Sequence, residues 1–144
     1  MTALANLLFR IVGGIHRRVY RLTGGKVGGQ IGKLPVLLLT TTGRKSGQPR
    51  TQPLAYTKAS DGYAVIASKG GAAQHPLWYL NLRANPLADV TVGRETRKVR
   101  ARDARGEERE QLWRALADLY PGYDRYAQKT SRQIPVVVLE VVAS

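Results

Sequence analysis

The chain has 144 residues, 43% of them hydrophobic, with no cysteine and a net charge of +13. That length fits one domain burying roughly two-thirds of its unfolded surface, and the missing cysteine excludes disulfides, a thiol nucleophile and cysteine-ligated zinc or iron–sulfur clusters. Charge is one-sided: residues 1 to 60 hold ten Lys or Arg and no Asp or Glu, the first acid being Asp61. Such a half attracts polyanions, which admits nucleic acid, an anionic membrane surface or a phosphorylated and carboxylated small molecule as partner.

Leu4, Leu7, Leu8, Ile11, Val12, Ile15, Val19 and Leu22 recur at helical spacing, with Arg10, Arg17, Arg18 and Arg21 mostly off that stripe. The pattern predicts a basic amphipathic helix over residues 3–22. Arg10 breaks the apolar run and no small-residue cleavage site follows, so neither a signal peptide nor a spanning helix is expected. Two placements fit the helix: packed on its own domain or a partner subunit, or laid peripherally on an anionic bilayer. The glycine-rich stretch 24–32 reads as a connector, which divides the chain into an N-terminal segment, 1–33, and a folded domain, 34–144. Its glycines miss the spacing of a nucleotide phosphate loop, because Val27 stands where glycine is required and Leu34 follows Lys33 where Ser or Thr is required.

Strand patterns begin at Pro35. Val36–Thr42 is apolar and β-branched, Thr51–Lys58 is a return strand, and Tyr63–Ala67 follows the Ser60-Asp61-Gly62 turn. Leu87–Val92 and Thr96–Ala101 form a hairpin through Gly93-Arg94, and Pro135–Val142 is a late apolar strand. About six short strands at turn-length spacing predict a mainly β domain, an antiparallel sheet or barrel with flanking helices. One short helix starts at Pro76 and stops before Asn85-Pro86. A longer one spans Gly106–Leu119, with Glu107, Glu108 and Glu110 at its positive end and Leu112, Trp113, Leu116 and Leu119 facing inward.

Between the first two strands lies Thr40-Thr-Thr-Gly-Arg-Lys-Ser-Gly-Gln-Pro-Arg50. Gly43 and Gly47 let N–H groups converge, Arg44, Lys45 and Arg50 supply charge, and Ser46 a neutral donor, so the loop is a candidate anion cradle. A solvated turn with incidental charges is the alternative. Most other chemistry fails on residue supply. Only His16 and His75 are present, so no histidine cluster can hold a metal. Ser46 lacks the spacing of a nucleophile elbow, and the acids gathered at 107–110 read as a solvated helix start. A nucleic-acid platform is disfavoured because aromatic residues are not interleaved with basic ones. Ser68-Lys69-Gly70-Gly71 is a strand end entering a glycine turn, and Tyr120, Tyr123 and Tyr126 share one side of a helix or turn. They are either a ligand face or a packed aromatic layer. An enzyme so short of bases needs a cofactor to do the chemistry.

From Leu34 to Val142 the chain resembles the deazaflavin-dependent nitroreductase family, relatives of the flavin-binding split β-barrels that use coenzyme F420 (8-hydroxy-5-deazaflavin). The matching stretches, in order, are 34–50, 67–72, 76–86, 101–104, 120–126 and 132–137. The resemblance implies an FMN-binding-like split β-barrel (α+β) and an F420H2-dependent oxidoreductase. The missing cysteine fits a reducing cytoplasm, the helix over 3–22 a peripheral contact at the inner face of the membrane, and a homodimer is among the expected states. The resemblance assigns Arg44, Lys45, Ser46 and Arg50 to the coenzyme's phosphate and oligoglutamate tail. Pro53, Leu54, Ala55, Tyr56, Ala67, Ser68, Lys69, Leu77, Trp78 and Tyr79 would line the deazaflavin. Of the family's tyrosines, Tyr123 would stand nearest the coenzyme, and Tyr120 and Tyr126 toward a small-molecule electron acceptor, with Ser68 as a further catalytic group. Ala55 replaces an aromatic residue of the nitroreductase type, which shifts the expected acceptor from bicyclic nitroimidazoles toward quinones, enones or lactones. His75 is expected to cap the short helix. A non-catalytic F420 carrier and an FMN- or haem-binding split barrel are the alternatives.

Overall fold

A computed structural model of the chain describes residues 30–31 and 34–142, with side chains from residue 35 onward. The helix expected over 3–22 and most of the connector therefore lie outside the described residues. The strands are β1 (Gln30–Ile31), β2 (Leu34–Thr42), β3 (Pro49–Ala55), β4 (Thr57–Ala59), β5 (Gly62–Ile66), β6 (Leu87–Val92), β7 (Glu95–Asp103) and β8 (Val136–Val141). Three α-helices accompany them, α1 (Leu77–Ala84), α2 (Gly106–Leu119) and α3 (Gly122–Lys129), with a 3-10 turn at Lys69–Gly71.

All pairings are antiparallel, in the order β2-β6-β7-β8-β5-β4. The six expected strands are present, but the return strand expected over Thr51–Lys58 is two segments. β3 pairs with β2 from Thr42↔Pro49 to Val36↔Ala55, and beyond Tyr56 β4 pairs instead with β5. One stretch of chain thus joins the two ends of the sheet and closes it into a barrel. The ladder breaks where the partner changes, and there the Tyr56 N–H donates to the Pro35 carbonyl at 3.1 Å. The twist that lets six strands close forbids a single straight strand from serving both edges. Gln30 and Ile31, at the end of the glycine-rich stretch, add a two-residue strand opposite Pro35 and Leu34.

β5 and β8 are buried on both faces, which explains why they read as continuous apolar runs. Val65, Ala67, Val137 and Leu139 point into the barrel, where they meet Leu37, Leu39, Val90 and Val99. Ala64, Ile66, Val136 and Val138 point outward against Leu112, Leu116 and Ala117 of α2 and Tyr123 of α3. α2 runs as its sequence predicts, and Arg102 grips Glu108 in its first turn through two bonds of 2.6 and 2.8 Å. Leu119 departs from expectation. It is 41% exposed, because the helix ends there and Tyr120 turns the chain into extended backbone. Pro76 is the residue just before α1 instead of its first member.

Candidate coenzyme and acceptor site

Residues 43–48 connect β2 to β3, since the register ends at Thr42↔Pro49. The loop is closed by its own backbone: the Gly43 N–H donates to the Gln48 carbonyl and the Gly47 N–H to the Gly43 carbonyl, each at 2.8 Å. Ser46 Oγ accepts from the Gln48 N–H at 3.1 Å and from an Arg50 Nη at 3.4 Å, so Ser46 fixes the loop's shape as well as offering a donor. Arg44, Lys45 and Arg50 are exposed, and none pairs with a carboxylate among the described residues. Arg44 and Lys45 on the turn and Arg50 at the start of β3, uncompensated among the described residues, create a standing attraction for a multivalent anion.

What anchors this loop was missed from the sequence. Asn81 of α1 accepts from the Arg44 N–H at 3.1 Å and donates through Nδ2 to Thr41 Oγ1 at 3.1 Å. Asn81 is 7% exposed and Thr41 2%. The available signal was one polar residue on the otherwise apolar face of Leu77-Trp-Tyr-Leu-Asn-Leu.

The second element is the turn after β5. Ser68 is right-handed helical (φ −80°, ψ −38°), and Lys69, Gly70 and Gly71 then follow with φ of 48°, 64° and 80°. Gly71 is required twice over, by its positive φ and because a Cβ would stand 2.7 Å from the Tyr126 carbonyl oxygen. The turn therefore seats directly on α3. Along α3 and its entry, the rings of Tyr120, Tyr123 and Tyr126 meet with centroids 5.2 to 6.2 Å apart, and the Tyr120 and Tyr126 hydroxyls lie 2.7 Å from one another. Tyr123 is buried, which pushes its phenol up to about 12, with the neighbouring Tyr120 and Tyr126 adding to the effect. The Tyr120 hydrogen bond raises Tyr126 as well. Tyr123 and Tyr126 are consequently held as neutral phenols.

Ala55 packs into the same cluster as the three tyrosines, whereas Leu54 and Tyr56 turn to the barrel core and Pro53 pairs with Leu38. Trp78 and Tyr79 also belong to that core, at 6% and 5% exposure, while Leu77 is 67% exposed. Tyr79 donates to Asp103 Oδ2 at 2.8 Å, and burial, then this bond, push its phenol up to about 12. His75 does not cap α1. Its Nδ1 lies 3.2 Å from Arg132 Nη1, and its ring stacks obliquely on Tyr79 at 4.8 Å. An open groove of about 520 Å³ lies elsewhere, beside Arg109, Trp113, Arg114, Asp124 and Ile134. Glu110 and Arg132 also line it; Arg114 and Trp113 both bond Asp124, and Arg109 donates to the Ile134 carbonyl.

Together these elements form a split β-barrel that carries an exposed basic loop, a glycine turn and a tyrosine face. The comparisons narrow this further. Residues 13–141 match the model of the F420H(2)-dependent quinone reductase family, and the chain belongs to that family. An F420H(2)-dependent quinone reductase of Mycobacterium tuberculosis (strain ATCC 25618 / H37Rv) is 42% identical over 129 residues, 87% of each chain. A solved F420-H2 dependent reductase superposes with a TM-score of 0.67 at 45% identity, covering 74% of this chain and 94% of the other. A domain-swapped dimer superposes at 0.70 with 36% identity, covering 96% and 100%. The coenzyme is F420, and the uncompensated cations of the 43–50 loop fit its anionic tail.

Proposed function

We propose that this F420H2-dependent reductase passes two electrons to a quinone, with the 43–50 loop setting coenzyme affinity and the Ser68–tyrosine face receiving the acceptor. The observation that carries the reading is the trio of cations Arg44, Lys45 and Arg50, without carboxylate partners among the described residues, on a loop that Asn81 fixes at the Arg44 N–H and Ser46 at the Arg50 guanidinium. Reduced deazaflavin supplies the hydride when bound. Quinone and F420H2 together become hydroquinone and F420, so the acceptor gains a hydride and a proton. Within the chain, the turn of Ala67, Ser68 and Lys69 would hold the coenzyme ring. Exposed Leu77 would border the ring, with Pro53 and Ala55 on β3, while Leu54 and Tyr56 would back them from the barrel core. Buried Trp78 and Tyr79 support that wall from the barrel core. Tyr120 and Tyr126 offer hydroxyls to the acceptor oxygen as charge develops there, backed by Tyr123. The hydrogen-bonded Tyr120–Tyr126 hydroxyl pair would relay the proton, to be replaced from water. The small side chain of Ala55 beside the tyrosines leaves room for a flat ring.

The test is steady-state oxidation of F420H2 by menadione, alongside a panel of enones, lactones and nitroaromatics. Turnover with quinones is expected, and Lys45→Ala and Arg50→Ala should each weaken F420 binding in fluorescence quenching. A flat trace across the panel with intact binding would instead show a carrier. The amphipathic stretch 3–22 gives a reason for a lipid-soluble acceptor, with the protein cytoplasmic and peripheral at the membrane, and flotation with anionic vesicles tests that placement. Likeness to a domain-swapped dimer supports a homodimer, which sedimentation reads directly.

A further inference from the structure

Arg132 lies in the segment joining α3 to β8, and every one of its donors is spent on one short stretch of chain. Nε donates to the Ala72 carbonyl at 2.9 Å, Nη2 to the Ser68 carbonyl at 2.7 Å, and both Nη groups to the Ala67 carbonyl at 3.3 Å. The remaining donor meets His75 Nδ1 at 3.2 Å. No carboxylate pairs with this guanidinium among the described residues. A structural arginine is satisfied most readily by an acid, whereas this one places an unneutralised cation on three peptide carbonyls.

The geometry of the peptide group decides what that does. No cis bond occurs among the described residues, and in a trans peptide the N–H points opposite the carbonyl. Turning the Ala67 and Ser68 carbonyls onto Arg132 therefore turns the Ser68 and Lys69 N–H groups away from it. Ser68 in the right-handed and Lys69 in the left-handed region make the N–H groups of Ser68, Lys69 and Gly70 converge into a concave donor set. None of these three N–H groups has a protein acceptor among the described residues. A cation on the carbonyl side also polarises each peptide and strengthens its N–H as a donor.

We propose that Arg132 is a positioning residue: through the Ala67, Ser68 and Ala72 carbonyls it holds the 67–72 turn so that the Ser68, Lys69 and Gly70 N–H groups are presented as donors to the electron-rich edge of the coenzyme. The proposal rests on the coenzyme reading above. Lys cannot substitute fully, since one ammonium has three donors and no planar fork to span Ala67, Ser68 and Ala72 together.

The test compares full-length wild type, Arg132→Ala, Arg132→Lys and Lys45→Ala in two measurements: F420 binding by fluorescence quenching, and amide hydrogen exchange of residues 67–72 without coenzyme. Arg132→Ala is expected to weaken binding about tenfold or more and to speed exchange at Gly71 and Ala72, with low-millimolar guanidinium ion restoring part of both. Arg132→Lys should fall between. Lys45→Ala should weaken binding and leave the exchange of 67–72 untouched. The proposal is overturned if Arg132→Ala binds F420 as wild type does, or if exchange at 67–72 is unchanged. Should Arg132→Ala fail to fold, Arg132→Lys decides alone, and wild-type affinity in that variant overturns the proposal. Wild type that does not quench F420 refutes the coenzyme reading itself, and the exchange measurement still reads whether Arg132 holds the turn.

Discussion

Asn81→Leu isolates the buried joint between α1 and the basic loop. Leucine keeps much of the volume and removes both hydrogen bonds, to the Arg44 N–H and to Thr41 Oγ1. The two losses are unequal. The Arg44 backbone is on an exposed residue and its N–H can turn to water, but Thr41 is 2% exposed and its hydroxyl is left stranded. A stranded buried polar group costs about 1–3 kcal/mol, so Asn81→Leu should destabilise by about 2 kcal/mol in urea unfolding followed by circular dichroism. Adding Thr41→Val removes the stranded hydroxyl and should return about 1 kcal/mol, a coupling measurable as a double-mutant cycle. Coenzyme affinity should behave differently. Both single and double variants lose the anchor on Arg44, so F420 binding stays weakened while stability recovers. The reasoning fails if the double variant is no more stable than Asn81→Leu, or if affinity returns together with stability.

Leu116 is fully buried between α2 and the outer faces of β5 and β8. Leu116→Ala should cost about 3 kcal/mol and lower Tm by about 10 °C while sparing F420 affinity at low temperature, and a loss under about 1 kcal/mol would mean that this layer can collapse. His75 faces Arg132, Arg83, Asp103 and the Tyr79 ring, and burial first, then Arg132 and Arg83, hold its pKa below the usual 6.5 against the opposing Asp103. Its contribution to stability is therefore complete above pH 6.5 and is lost as pH falls through the lowered value. His75→Asn keeps an acceptor that does not titrate, and should flatten the fall in urea midpoint between about pH 7 and about pH 5; an unaltered acid limb contradicts the assignment.

The parts legible in the sequence are those whose cause is local. α2 carries its own dipole-matched glutamates and stripe, and its limits coincide with Gly106–Leu119. The hairpin at Gly93-Arg94 is set by a two-residue turn with Gly93 at φ 62°. The anion loop was visible as glycines and cations crowded within eleven residues, and the tyrosines as a spacing of three. What stayed hidden is long-range. Asn81 reaches partners 37 and 40 positions away, and Arg132 partners 57 to 65 positions away. His75 reads as a helix cap only while its distant competitor Arg132 is out of view. Trp78 and Tyr79 illustrate the same limit, because an aromatic pair on a short helix carries no mark of which face meets ligand and which meets the core.

The two hidden supports meet at one small helix. At its N-terminal side the chain leading into α1 meets Arg132 through His75, and Arg132 holds the 67–72 turn. In its second turn Asn81 holds the start of the basic loop. α1 is pinned between these two points by Trp78, Tyr79 and Leu82 in the barrel core. A displacement of α1 must therefore move both supports together. Lys45 sits on the tip of the loop, outside that linkage, so its loss removes charge without disturbing the turn. Substitutions of core residues in α1 should alter coenzyme binding and turnover jointly, while Lys45→Ala alters binding alone and leaves kcat at saturating coenzyme unchanged. If Lys45→Ala lowered kcat under those conditions, the loop and the turn could not be the separate elements that their hydrogen bonds describe.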